Sequence, residues 1–523
     1  MKRDSVTRPS PLVPRLSFDR LDAIVAAILF AAAFAYLALH PRNLGVTDEG
    51  LYLYEARRLL EGDLFYRDIY EIIPPGSHYL MALMFGLFGT SITVAKLSMA
   101  AVHAVTTAAL YLAGRAGTVR PLLAACPALA YAALCVPVWP YASPHWVGVC
   151  LSVLLLLALI DAAREPSPRR LFVAGILAGL ATLVQHQRGL VLGISAGALL
   201  VLRYVIDRRM ADTRPVPLIS RLTPFVAAFL LTVVPAFALM LASSGSKPML
   251  VALVEHPLVH YGTVNRVPWG AVPILTAFLG RFTFPKLLKY LPAILLVEVG
   301  RIALDLVRRR RHEELRVLSA LALLGAACAA SVAYRPDFIH LGFIAPIFFV
   351  AAAECAEWIA RSIDGRAART AVAAVAVVVL GGLAVQLWLN LDRARALYPF
   401  SAETGFGRVD FVSEKEIELI RQTEQNLKDI GTRELFSYPT YPALYLFTRT
   451  RNPTPYQLLL AEYSPPGQIE HAAEILERRQ VPMVVVFAPM LKKDDAVLHY
   501  LRGKYEPIDA KEVFWKRRPE GGE

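Results

Sequence analysis

The first strongly patterned stretch of the chain is the apolar run LDAIVAAILFAAAFAYLAL, Leu21 to Leu39. At about 19 residues it nears the roughly 20 that an α-helix needs to cross the hydrocarbon of a bilayer. Similar runs follow at about 91–113, 121–138, 146–162, 171–184, 189–206, 222–243, 286–306, 316–333, 338–360 and 371–390. The apolar residues come in runs and are not spread at core spacing, which predicts a polytopic α-helical membrane protein. One piece is ambiguous: PPGSHYLMALMFGLFG, Pro74 to Gly89, is apolar, and if it crossed the bilayer every later loop would change sides.

Loop charge arbitrates. With Pro74–Gly89 lying in the interface, the basic loops around Arg115/Arg120, Arg164/Arg169/Arg170, Arg203/Arg208/Arg209/Arg214, RRRRHEELR and Arg361/Arg366/Arg369 all fall on the side of the basic N-terminus. That is the positive-inside pattern. It gives about eleven spans, an odd number, and puts the polar C-terminal tail outside. The expected organisation is a cytoplasmic tail (1–20), a membrane domain (21–397) whose first outer loop covers 40–90, and an extracytoplasmic domain (398–523). Within that last part, SEKEIELIRQTEQNLKDI has helical spacing, with Ser413 and Glu416 placed as a capping box. ELFSY and VPMVVVF predict short buried strands, PGQIEHAAEILERRQ a helix between them, and DAKEVFWKRR a terminal strand. Alternating strand and helix suggests a small, partly parallel α/β sheet.

Composition agrees. Of 523 residues, 56% are hydrophobic and only 19% charged, too apolar for a soluble chain of this size. The net charge of +12 raises the question of nucleic acid. Its concentration in short loops instead reports topology, so no nucleic-acid partner is expected. Cys126, Cys135, Cys150, Cys328 and Cys355 lie in or beside apolar runs without a CxxC pair, so neither a disulfide framework nor a zinc site is implied. The basic segment MKRDSVTRPSPLVPRLSFDR before the first run reads as a retained signal anchor.

This topology gathers the unusual polar residues on the outer side: Asp48/Glu49, QHQR (Gln185–Arg188), VEHPLVHYGTVNR (Val254–Arg266) and YRPDFIH (Tyr334–His340). Polar groups at membrane depth are costly unless they face a cavity, which makes them site candidates. The short span 171–184 suggests a tight hairpin that carries QHQR into the bilayer.

The opening segment combines a spanning run, an acidic pair at its outer end, the pattern EAxxLLxGxxxYRD and then PPGSxYLxALxFxLFG. It resembles the GT-C superfamily of membrane glycosyltransferases, in the branch of protein O-mannosyltransferases and lipid A aminoarabinose transferases, and especially bacterial family 39/83-type enzymes with an RgtA–D-like domain. GILAGLATLVQHQRGLVLG, RPDFIHLGFIAPIF and PALYLFTRTRNPTPY are looser matches to later parts of that pattern. The resemblance implies transfer of a sugar from a polyprenyl-phosphate carrier to a glycan, lipid or protein acceptor outside a bacterial inner membrane. It makes Asp48 the indispensable carboxylate, with Glu49 its neighbour. The hairpin Lys of the pattern is replaced by His186 and Arg188, and the Lys before Pro-Pro in the aminoarabinose branch is Ile73 here.

The chemistry asks for the same residue types. Inverting transfer needs a base on the acceptor hydroxyl, or a divalent cation such as Mg or Mn held by Asp48, and positive charge on the departing phosphate. The alternative for Asp48 is that it or Thr47 simply caps the following helix. Arg57, Arg58, Arg188, Arg266 and Arg335 are the outer arginines able to fork onto phosphate, although Arg57 and Arg58 also suit a solvated helix face. His256, His260 and His340 can bond sugar or phosphate, join a metal, or satisfy backbone groups. Tyr52, Tyr54, Tyr66, Tyr70 and Tyr79 suit an interfacial belt. The rival readings are a transporter or flippase for a lipid-linked sugar, and an inactive scaffold. Transporters show repeat symmetry and broken helices at the midplane, and no repeat relates the two halves here.

Overall fold

The computed structural model describes residues 19–519 except 46, 118, 165, 211–215, 262–265, 271–287, 309–311, 363–365, 461–462, 488–490 and 492–494. The N-terminal tail, Arg214 and the centre of the RRRRHEELR loop therefore lie outside the described residues. The chain runs through α1 (Arg20–Ala38), α2 (Asp48–Leu60), α3 (Gly76–Phe88), α4 (Ile92–Ala116) and α5 (Pro121–Ala130). After Ala130, α5 widens into a π turn and tightens again to end at Val138. There follow α6 (Pro144–Arg164), α7 (Pro168–Val184), α8 (His186–Met210), α9 (Leu218–Ser244) and α10 (Ser246–Leu250), the last continued by a π-helical stretch to Tyr261. The helical part closes with α11 (Ile294–Arg308), α12 (His312–Ser331), α13 (Phe338–Ser362) and α14 (Arg366–Leu397).

Each expected span coincides with a helix, but not each helix spans by itself. Among the described residues, eight are long and apolar enough to cross: α1, α4, α5 extended to Val138, α6, α8, α9, α13 and α14. The other three expected spans are α7, with 17 residues, α11, with 15, and α12, whose apolar part is Val317–Ser331. Packing explains α7 and α12: α7 sits between α6, α8 and α9, and α12 between α6, α8, α11 and α13. Neighbouring helices rather than lipid cover much of them. By contrast α1, α9 and α14 keep most of their apolar surface outward, as lipid contact requires. α3, the ambiguous segment, has only 13 residues and packs on α2.

The arginines of the basic loops meet carboxylates at one end of the bundle. Arg115 holds Asp22 at 2.5 Å, Arg120 and Arg361 both hold Glu357 at 3.0 Å, and Arg203 and Arg221 share Asp207 at 3.0 and 2.9 Å. These pairs tie the start of α1 to the end of α4, and the start of α5 to the end of α13. Helix contacts elsewhere are close. A Cβ on Gly175 of α7 would stand 2.2 Å from the Phe225 carbonyl oxygen of α9. Gly175→Leu is expected to force α7 from α9 and cost about 1–3 kcal/mol, seen as a lower melting temperature in detergent. Gly197→Leu, with open space at its Cβ, should leave melting unchanged.

The sheet-bearing unit begins at Phe400. A hairpin that the sequence reading did not anticipate, β1 (Phe400–Thr404) and β2 (Gly407–Phe411), packs its turn on α4 through Ile92 N donating to Phe406 O at 2.9 Å. α15 (Glu414–Ile430) follows; Ser413 is its N-cap, but its side chain makes no capping hydrogen bond, so the expected capping box is not formed. Then come β3 (Phe436–Tyr438), α16 (Pro442–Thr448), α17 (Gln468–Arg478), β4 (Met483–Val486), α18 (Ala496–Lys504), β5 (Tyr505–Pro507) and β6 (Phe514–Arg517). The sheet order is β3-β4-β6-β5, with β3 parallel to β4 and the other pairings antiparallel. Phe436, Tyr438, Val484, Val486, Leu476 and Trp515 form its core.

Candidate active site

The turn that carries Asp48 is held from behind. Glu49, 1% exposed, accepts from Gly45 N at 2.7 Å, from Ala142 N at 2.6 Å and from Lys96 Nζ at 2.8 Å. These bonds fasten the start of α2 to α4 and to the loop before α6. Thr47 is the N-cap residue and makes no side-chain cap, and Asp48 is the first helical residue. The capping role open to either side chain is thus not used. The Asp48 carboxylate is exposed to water yet enclosed by protein, and it accepts no hydrogen bond from any described residue. Burial raises its pKa above the ordinary carboxylate value, and the charges of Arg335 and His340 pull only part of the way back.

Both side chains are organised by Asp337. It stands before the first residue of α13 and accepts from His340 N at 2.9 Å, from His340 Nδ1 at 2.8 Å and from Arg335 Nε at 2.8 Å. Arg335 Nη1 reaches Tyr261 Oη at 3.4 Å. Burial alone would raise Asp337, but the bonds from His340 and Arg335 hold it well below the usual range. Asp337 is therefore ionised and keeps both partners aimed.

Beside this cluster lies a cavity of about 450 Å³ lined by Ile73, His145, Gln185, Arg188, Tyr261 and His340 among others. Its basic wall is made by the α7–α8 hairpin, in which Gln185 alone separates the two helices. Only glycine fits at position 189, because a Cβ there would meet Thr182 N at 2.1 Å. Arg188 is 5% exposed, and its Nη1 has no hydrogen-bond partner among the described residues. Gln185 Nε2 contacts His145 Nδ1 at 2.6 Å, while Gln185 Oε1 and His186 Nδ1 have no hydrogen-bond partner among the described residues. A buried guanidinium with an unused fork is costly by itself and is suited to an anionic group entering from the cavity.

Residues 73–219 match the family model for dolichyl-phosphate-mannose-protein mannosyltransferases. The fold is similar to that of ArnT from Cupriavidus metallidurans bound to undecaprenyl phosphate, with a TM-score of 0.55 and 16% identity over 95% of this chain and 96% of that one. Against the apo state of the same protein the TM-score is 0.53 at 15% identity, over the same shares of each chain. The likeness to that mannosyltransferase family thus covers residues 73–219, and the fold as a whole is ArnT-like. No curated protein matches it by sequence. A partial overlap with the Saccharomyces cerevisiae protein O-mannosyltransferase Pmt1–Pmt2 complex covers 46% of this chain and 35% of that one, at 17% identity and a TM-score of 0.36.

Within this ArnT-like fold the site residues expected from the sequence separate into two groups. Asp48, His186, Arg188, Arg335 and His340 come together around the cavity and its rim. Arg57 and Arg58 do not. Arg57 donates to the carbonyls of Tyr445 and Thr450 and pairs with Glu61. Arg58, 3% exposed, donates to Asp63, Thr454 O and Asp68 O. Both guanidinium groups are taken up by the joint between α2 and the C-terminal unit, where Tyr54 also stacks on Tyr445 at 4.6 Å. Arg58→Met removes its bonds to Asp63, Thr454 O and Asp68 O and leaves Asp63 with Arg451 alone, and is expected to cost about 1–3 kcal/mol. Faster proteolysis of the C-terminal unit from detergent-solubilised protein would register it. Arg266 is exposed and not among the cavity residues, although Val267 N donates to Tyr334 O at 3.2 Å beside the Arg335 turn. Residues 262–265 of its segment lie outside the described residues. Glu49 faces its structural partners rather than the cavity.

Asp48 belongs to neither of the groups of three His, Cys, Asp or Glu side chains close enough to hold a metal among the described residues. Two residues of this site were not singled out in the sequence, Asp337 within the candidate stretch YRPDFIH and His145 outside every candidate stretch. Asp337 carried a signal, an Asp directly before an apolar helical run with His three positions on. His145, stacked on Phe343 at 4.5 Å, carried none.

Proposed function

We propose that the chain transfers a glycosyl group from a polyprenyl-phosphate-linked donor to an acceptor hydroxyl at the outer face of a bacterial inner membrane. The observation that carries this reading is the pairing of an unbonded carboxylate, Asp48, with a neighbouring cavity that holds a buried, unsaturated guanidinium, Arg188. The similar ArnT fold was solved with undecaprenyl phosphate, which supports a carrier of that class. In this reading Arg188 grips the carrier phosphate, Arg335 adds positive charge at the rim, and His340 offers a hydrogen bond beside it. Asp48 takes the proton of the acceptor hydroxyl. The acceptor oxygen then bonds to the anomeric carbon from the face opposite the phosphate, the carbon–oxygen bond to phosphate breaks, and the electron pair leaves on the polyprenyl phosphate. The anomeric configuration inverts. A raised pKa suits Asp48 to this work, since a stronger base takes the proton more readily.

Proteoliposomes containing the purified protein, a short-chain polyprenyl-phosphoryl sugar with labelled glycosyl group, and an envelope extract as acceptor source provide the test. The expected products are free polyprenyl phosphate and a labelled acceptor. Movement of the intact donor between leaflets, with no carbon–oxygen cleavage, would instead establish a flippase.

A further inference from the structure

About two helical turns along α2 from Asp48, three side chains from three segments converge: Glu55 of α2, Glu71 of the segment leading to Pro74, and His78 of α3. Glu55 and His78 are 0% and 1% exposed, and Glu71 is 9% exposed. One ligand atom from each lies within 4.8 Å of the other two. His78 Nε2 stands 3.3 Å from Glu55 Oε2, close to the roughly 3.4 Å between ligands of a tetrahedral ion with bonds of about 2.1 Å.

The charges here are not otherwise balanced. Arg58, whose charge reaches Glu55, gives its Nε, Nη1 and Nη2 to Asp63, Thr454 O and Asp68 O. The nearby Tyr66 hydroxyl donates to Ile73 O. Neither Glu55 oxygen nor His78 Nδ1 has a hydrogen-bond partner among the described residues. Glu71 accepts from Ile72 N at 2.6 Å, and its carboxyl group meets that of Glu55, so the two acids bear on each other with no cation between them among the described residues. Burial raises both carboxyl groups, Glu71 to about 8. Two carboxylates taken out of water without a cation are a large penalty, relieved either by protonation or by a bound positive ion.

We propose that Glu55, Glu71 and His78 form a binding site for a divalent transition-metal ion. Two carboxylate oxygens and one imidazole nitrogen are donors of the zinc class, with a fourth position open to water. The ion links α2, the 61–75 segment and α3 at one point. Ile72 and Ile73, next to Glu71, line the Arg188 cavity, so the ion would fix that wall while Asp48 stays outside its coordination.

Zinc is the probe. Tag-free protein in detergent is stripped with chelator, desalted, given zinc and passed through gel filtration, with metal content and melting temperature measured. One zinc per chain and a rise in melting temperature of several degrees are expected. Glu55→Gln and His78→Gln should each reduce retained zinc at least about tenfold and abolish the rise, because an amide is a poor metal ligand. Asp48→Asn should keep both. A cluster of protonated carboxyl groups gives the opposite result, since an amide can replace a protonated carboxyl. Wild-type protein that retains no zinc, or Glu55→Gln protein that retains as much as wild type, overturns the proposal. Metal content is read without any transfer assay, so the outcome is separate from the fate of the glycosyltransferase reading.

Discussion

Asp48→Asn is expected to lower glycosyl transfer by about 10²–10⁴-fold, the range for loss of a general base, while the protein stays folded. The direction of the Asp48 pKa makes two further outcomes specific. The working form is the carboxylate, so the acid limb of the rate profile should lie above the usual carboxylate range near pH 3.9. For stability the sign runs the other way. A folded pKa raised above the unfolded one favours the protonated acid, so the stability it contributes is present below the unfolded pKa and lost as pH rises through the folded pKa. At neutral pH the charged Asp48 is a burden on the fold, and Asn removes it. The melting temperature of Asp48→Asn should therefore equal or exceed that of wild type at pH 7 and fall level with it in acid. A variant that transfers sugar at the wild-type rate would end the assignment of Asp48 as base.

Arg188→Met should have the second largest effect, again with stability and function moving oppositely. The guanidinium is buried, and its Nη1 is unsatisfied among the described residues. Replacing it by an apolar chain of similar length removes a desolvation penalty and should raise the melting temperature of the ligand-free protein. The same change removes a charge-assisted contact of about 1.5–3 kcal/mol to a phosphate, a loss of roughly 10- to 100-fold in affinity. Calorimetric titration with farnesyl phosphate reads this directly. Wild-type protein should also gain more thermal stability from farnesyl phosphate than the variant does. Equal affinity in the two proteins would remove Arg188 from the donor site.

The two outcomes together bear on catalysis. Charge on the departing phosphate grows as the carbon–oxygen bond breaks, so a cation aimed at it favours the transition state over the bound donor. Arg188→Met should accordingly depress kcat as well as raise KM. Arg57, held in the joint with the C-terminal unit, carries the same charge on the same side of the chain. Its replacement should alter stability and leave farnesyl phosphate affinity unchanged.

Much of this molecule was open to reading along the chain. A bilayer imposes a minimum apolar length on each crossing, a purely local demand, and every expected span coincides with a helix. Loop arginines grouped on one side by charge do meet their carboxylates at one end of the bundle. In the C-terminal unit, an aromatic run for β3 and a β-branched run for β4, each bounded by turn residues, marked the two strands. The hairpin of β1 and β2 left a weaker trace, because FSAETGFGRVDF buries little of its alternation until its turn docks on α4.

Which arginine meets which partner was decided only in three dimensions. Arg57, Arg58 and Arg188 are the same residue type near the same face, yet two are consumed by carbonyls of a unit nearly 400 positions away and one is left open in a cavity. No local pattern encodes that difference, since it depends on what α16 and the α7–α8 hairpin place beside each guanidinium. Asp337 gathers Arg335 and His340 for the same reason, and Glu55, Glu71 and His78 become a cluster only when α2 and α3 pack. Burial and charge compensation are sums over neighbours in space. Residue types and apolar lengths belong to the sequence alone, and the neighbours are supplied by the fold.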